Sequence, residues 1–144
     1  NVGEAPRERR GSPVADRYSG YYEHSLDPKG RITIPSKFRE QLGKTIAMMR
    51  GRNNCICLYS LSEWNAVYEK FEKIEESDGE AYDQMRKLLA TSVDDNEMDR
   101  QGRLLIPTTM RQYAGLEKDV VVSGAGRHVE VWNRDAFFRF IEET

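Results

Sequence analysis

Very little of the usual catalytic or metal-binding chemistry is present. Two histidines and two cysteines are all that 144 residues offer as soft ligands or nucleophiles. There is no GxSxG elbow, no Walker loop and no GxGxxG, and neither His24 nor His128 sits in a triad or zinc spacing. "SGAGRH", residues 123–128, has spaced glycines but lies between two strand-like runs, whereas a dinucleotide loop opens a helix. It reads as a turn. Long apolar runs are missing too: nothing approaches the ~18–20 residues that cross a bilayer, and the Arg-rich start lacks the apolar stretch of a signal peptide. A soluble cytoplasmic chain, without membrane partner, cofactor or enzymatic activity, is the expectation. Cys55 and Cys57, in "NNCICLY", are expected as strand neighbours to face opposite sides and not to bridge, and free thiols fit a reducing compartment.

An excess of positive charge is also absent. The formal net charge is −2, which by itself argues against a nucleic-acid binder. Its distribution argues the other way. Residues 67–98 carry ten acids against four bases, whereas 27–39 carry four bases against one acid and 99–111 three against one. Charge is segregated by element, so the global pI is a poor guide.

What the chain does have is a repeat. "DPKGRITIP" at 27–35 returns as "DRQGRLLIP" at 99–107. At an offset of 72, Asp27, Gly30, Arg31, Ile34, Pro35, Arg39 and Gly43 fall on Asp99, Gly102, Arg103, Ile106, Pro107, Arg111 and Gly115. One inserted residue then makes the offset 73, and Met48, Gly51, Ile56, Tyr59 and Trp64 fall on Val121, Gly124, Val129, Trp132 and Phe137.

Each unit reads as strand, turn, strand, short helix, strand, turn, strand. Pro35 and Pro107 end the second strands, Ser36 and Thr108 are placed to cap the helices, and Gly43 and Gly115 to stop them. Ser60 and Glu63 have capping-box spacing ahead of a helix with Trp64, Val67, Tyr68, Phe71 and Ile74 on one stripe. That stripe is read as core against the chain's own strands. A second helix follows Asp78-Gly79 with Tyr82, Met85, Leu88 and Leu89 on one side, and Asn133 or Asp135 caps a last helix that buries Phe137, Phe138 and Ile141. Residues 1–17 combine Gly, Pro and charge without a hydrophobic period and read as a disordered arm or an expression remnant outside the fold. The expected division is a first repeat over 20–63, a helical spacer over 64–92, a second repeat over 93–137 and the end of a C-terminal helix over 138–144.

The motif itself makes physical demands. Gly30 and Gly102 stand where the backbone needs φ > 0, and Asp27 and Asp99 are placed to accept amide hydrogen bonds two or three residues on. The turn then aims Arg31 and Arg103, whose planar forks suit a phosphate or the O6/N7 edge of guanine. A lone DxxGR reads as a hairpin with an Asp–Arg salt bridge. Two copies, flanked by Lys29, Lys37, Arg39, Arg100 and Arg111, read as a paired basic surface for duplex DNA. Arg39 and Arg111 also read as solvated helix faces or partners of acids. A zinc site is not expected: Cys55 and His128 share a repeat position, but a structural zinc takes four ligands in paired short spacings and one CxC is present.

The motif pair, the opening GYYEHSLDPKGRITIPSKFREQLG and the segment CLYSLSEW resemble the MraZ transcriptional regulator family, from Gly20 to about Phe140. The resemblance implies a mainly β, mixed α+β fold in which two AbrB- and SpoVT-like swapped-hairpin halves interlock as β-barrels around the helical spacer. It also implies a homo-oligomeric ring that binds direct repeats in double-stranded promoter DNA upstream of the bacterial division and cell-wall gene cluster. Such a regulator is nucleoid-associated, with repression as the expected sign. The family's arginine carries over to Arg31 and Arg103, its glycine to Gly30 and Gly102, its aspartate to Asp27 and Asp99. Lys29, Arg100 and Gln101 join the DNA-binding set by adjacency. The N-terminal extension departs from the family pattern. Alternatives are an antitoxin-like regulator of the same superfold, a ring-forming structural protein without a DNA role, or an enzyme whose site the sequence hides.

Overall fold

Short β-branched and aliphatic runs, cut by glycine, proline and asparagine, become strands rather than helices. The computed structural model describes residues 16–143, so most of the expected arm, residues 1–15, lies outside the described residues. The elements are β1 (Tyr21–Ser25), β2 (Arg31–Thr33), α1 (Ser36–Leu42), β3 (Thr45–Arg50), β4 (Ile56–Ser60), α2 (Leu61–Glu72), α3 (Glu80–Ala90), β5 (Val93–Glu97), β6 (Arg103–Leu105), α4 (Thr108–Ala114), β7 (Asp119–Gly124), β8 (Val129–Asn133) and α5 (Arg134–Glu142). The series from β1 to α2 recurs as β5 to α5, with α3 between.

Pairing ties the two copies together. Six strands form one antiparallel sheet in the order β1-β7-β8-β4-β3-β5, and β2 pairs with β6 as a separate ribbon. The first strand of each copy lies on the third strand of the other, β1 on β7 and β5 on β3. Like pairs with like at β2–β6 and β4–β8, where Ile32 faces Leu104 and Cys57 faces Glu130 at the centre of each register. An approximate two-fold axis runs through those two pairs. The mixed α+β class is as expected, with the barrel left unclosed: Pro35 and Pro107 withhold a ladder donor just beyond β2 and β6, which stay three residues long and pair only with each other.

Burial explains the strand compositions. Along β3, Ile46 and Met48 enter a core beneath the ribbon, α1 and α4, while Ala47 and Met49 enter a second core beneath the helices α2, α3 and α5. Strands buried on both faces read as continuous apolar runs, as "TIAMMR" and "DVVVSG" do. Ile32, Ile34, Leu104 and Ile106 are at most 1% exposed. Each such side chain contributes about 1.5–3 kcal/mol by burial, enough to pin a ribbon that hydrogen bonds alone would not hold.

Several local expectations change. Ser36 and Thr108 do not cap: the caps are Pro35 and Pro107, without a side-chain hydrogen bond, because each helix begins at the Ser or Thr itself. Gly43 and Gly115, at φ 78° and 59°, stop both helices as expected. Ser60 Oγ accepts from Glu63 N at 3.3 Å, and Asn133 rather than Asp135 caps α5 by accepting from Ala136 N at 3.0 Å. Trp64 and Phe137 are buried, Val67 and Phe71 pack beside them, and Tyr68 and Ile141 lie at the surface. Cys55 and Cys57 share one core rather than facing opposite sides, since residues two apart on an extended chain point the same way. Both are free.

Asp16 and Arg17, assigned above to the arm, are used by the fold. Asp16 Oδ2 accepts from Ser60 Oγ at 2.6 Å and from Tyr18 Oη at 2.9 Å, and Arg17 exchanges two hydrogen bonds with Gln41. Tyr18 is 3% exposed and packs edge-on against Phe38. No described helix is long and apolar enough to cross a membrane.

Candidate nucleic-acid interface

The turn before β2 is built by one carboxylate. Asp27 Oδ1 accepts from Lys29 N at 2.9 Å and Arg31 N at 2.8 Å, and Oδ2 accepts from Arg31 Nε at 2.8 Å. Asp99 repeats this before β6 with Gln101 N, Arg103 N and Arg103 Nε, at 2.9, 2.9 and 2.7 Å. The amides lie two and four residues on, rather than two or three. Gly30 and Gly102, at φ 83° and 76°, make the corner possible. One aspartate therefore closes the turn and orients the arginine that follows.

These bonds hold the aspartates ionised. The Arg31 amide, foremost, keeps the Asp27 carboxyl below the usual carboxylate range against a smaller opposing effect of burial, and the Arg103 amide does the same for Asp99. A carboxylate whose pKa is lowered by folding adds stability above its unfolded pKa and loses it as pH falls through the folded value. The wild type is thus expected to lose thermal stability progressively below about pH 4, and an Asp27→Asn/Asp99→Asn variant to lose less over that interval. Parallel melting curves across an acid titration check this.

The copies also lock each other's corners. Ile34 N donates to Gly102 O and Ile106 N to Gly30 O, both at 2.9 Å. Arg39 Nε donates to Ile34 O at 2.7 Å, and its guanidinium lies against Gly102 so closely that a Cβ there would collide with it. Arg111 mirrors it, donating to Ile106 O at 2.9 Å and lying against Gly30. Among the described residues, then, Arg39 and Arg111 pair with no acid, and neither is simply a solvated helix face. They take carbonyls at the helix entries and brace the opposite corner. Sequence reading missed this role; the only signal was that a repeated arginine accompanies each repeated glycine.

Ile32 and Leu104 point inward, so Arg31, Thr33, Arg103 and Leu105 form the ribbon's outward face. Arg31 and Arg103 are 26% and 33% exposed, and Arg31 Nη1 stands 4.0 Å from Asp99 Oδ2. The salt bridge of a plain hairpin is thus present, made through Nε. Lys29, Arg100 and Gln101 are exposed on the same corners. The five residues expected at the interface come together around one ribbon, and Arg39 and Arg111 join them. Acidic α2, with Glu63, Glu69 and Glu72 against Lys70, belongs to the core on the other side of the sheet, whereas α3 balances two acids with two bases.

Fold and corner together define a two-copy, strand-exchanged scaffold that displays paired arginine turns. The family model described as "MraZ protein, putative antitoxin-like" matches residues 18–87 and 90–144, and the chain belongs to that family. It is 40% identical over 125 residues to the "Transcriptional regulator MraZ" of Caldanaerobacter subterraneus subsp. tengcongensis, covering 87% of each chain. It is 44% identical over 117 residues to the protein of that name from Acetivibrio thermocellus, covering 81% of each.

Proposed function

We propose that this chain is a transcription regulator that grips double-stranded promoter DNA with its paired corners. Arg31 and Arg103 are the main contacts, and Lys29, Arg100 and Gln101 are neighbours within reach of the same duplex. The observation that carries the reading is the pair of equivalent turns, each with an aspartate that fixes its arginine by Nε and each braced by the other copy. Fixing one edge of a guanidinium leaves the Nη edge pre-oriented for phosphate or guanine. Acidic α2 repels the duplex from the opposite side, which favours one docking face.

The working form is a homo-oligomeric ring on direct repeats upstream of the division and cell-wall cluster, acting as a repressor in the nucleoid. Rotation within a ring presents the same corner in the same sense at each repeat. Exposed Tyr68 and Phe140, at 44% and 40%, supply apolar surface on the helical side for contacts between copies.

A gel-shift titration of the wild type on that promoter fragment at two salt concentrations tests the reading. Neutralising four phosphates gives a log–log slope of about −4, so affinity is expected to fall about 100-fold or more between 50 and 200 mM salt. Binding that is insensitive to salt, or equal on a fragment without the repeats, overturns it.

A further inference from the structure

The far end of the two-fold axis carries a cluster that DNA binding does not use. The Cys55 and Cys57 sulfurs and a Glu130 carboxylate oxygen all lie within 4.8 Å of one another. They come from different copies of the repeat: β4–β8 pairing sets Glu130 opposite Cys57, and both face the helix-covered core. Tetrahedral zinc with two sulfur ligands and one oxygen ligand holds its donors about 3.5–3.8 Å apart, so this trio needs little contraction.

Three further observations point to a built site. Gly51 has φ −107° and ψ 178°, which any residue adopts, yet a Cβ there would stand 2.6 Å from Cys57 Sγ and 2.7 Å from Cys55 Sγ. Glycine is thus required for room around the sulfurs. The carboxylate is oriented from outside: Trp132 Nε1 donates to Glu130 Oε1, and His128 Nε2 lies against Oε2, each at 2.9 Å. Such outer partners fix the ligands of metal centres. Finally, Cys57, His128 and Glu130 line a pocket of ≈ 440 Å³ that gives an entry path. Arg50 lines it too, its buried Nε without a partner among the described residues, and its charge offsets the surplus of two thiolates and a carboxylate over a divalent ion.

We propose that Cys55, Cys57 and Glu130 bind one thiophilic divalent cation of the zinc class, with His128 as the residue that orients Glu130. The expectation of no metal rested on a count of four ligands and on their spacing along the chain. The third ligand comes from the other copy, where spacing says nothing, and the fourth position is left to solvent on the pocket side, as in open zinc sites.

Metal-stripped, reduced full-length protein titrated with Co²⁺ tests this. Thiolate-to-cobalt charge-transfer and tetrahedral d–d absorption are expected to saturate at one ion per chain and to be displaced by Zn²⁺. Cys57→Ser is expected to lose at least half of the charge-transfer intensity, since Cys55 is then the one thiolate left, and His128→Asn to weaken binding about 10- to 100-fold. No band at equimolar Co²⁺, or an undiminished band in Cys57→Ser, overturns the site. Should Cys57→Ser fail to fold, thiol-reagent kinetics on the wild type decide: both thiols are expected to be protected by saturating Zn²⁺, and unprotected thiols overturn the proposal.

Discussion

Alanine at both Arg31 and Arg103 is expected to abolish the promoter gel shift while the oligomer, followed by light scattering, stays whole. Each arginine that reads a base or clasps a phosphate in two-point fashion is worth about 1–3 kcal/mol, so the pair removes about 2–6 kcal/mol per corner pair, or roughly 30- to 10⁴-fold. A ring multiplies the loss, since every protomer's grip weakens at once. The fold should tolerate the change, because both side chains lie on the ribbon's outward face and belong to neither core. Arg31→Lys/Arg103→Lys separates charge from shape: lysine keeps the attraction to phosphate but has no fork, so residual salt-dependent binding with relaxed sequence preference is expected. Unchanged affinity in the double alanine variant would rule out the corner mechanism.

How far the corner could be read in advance follows from what kind of information each part needs. Asp27, Gly30 and Arg31 act within five residues, so spacing alone revealed the turn, the positive φ and the direction of the arginine. The repeat revealed that the turn occurs twice. Exchange of strands between copies was not visible in periodicity, because "YYEHS" pairs equally well, by composition, with any apolar neighbour; it entered through family resemblance. The bracing by Arg39 and Arg111 was invisible for the same reason. An arginine at a helix surface looks solvated until the opposite copy is placed beside it. The limit of the arm was misjudged for a different cause: Asp16 is polar and lies in a polar stretch, yet its carboxylate is the acceptor for Ser60 and Tyr18. The cysteine pair shows the same limit at the other end of the axis, where the missing donor, Glu130, is 73 positions from Cys57.

Gly102→Ala is expected to cost far more than Gly43→Ala, although both glycines have positive φ. Two effects add. At φ 76° an L side chain carries about 1–2 kcal/mol of backbone strain. The new methyl also occupies the place of the Arg39 guanidinium, which must leave and give up Ile34 O, and losing a hydrogen bond to a charged donor costs about 1.5–3 kcal/mol. The sum, about 2.5–5 kcal/mol, corresponds to a fall in melting temperature of roughly 10 °C or more. Gly43→Ala isolates the first effect: its φ is 78°, yet nothing lies within 4 Å of the added methyl. Its loss is expected to be about half as large or less. Arg39→Ala in the Gly102→Ala background removes the collision, so the double variant should be no less stable than Gly102→Ala alone, whereas Arg39→Ala in the wild type should destabilise. Equal melting temperatures for Gly102→Ala and Gly43→Ala, or simple additivity in the Arg39 cycle, would mean that the arginine does not brace the opposite corner. The two motif turns would then be coupled only through the β2–β6 ladder and the Ile34–Gly102 and Ile106–Gly30 backbone bonds, and those would carry the alignment of Arg31 with Arg103.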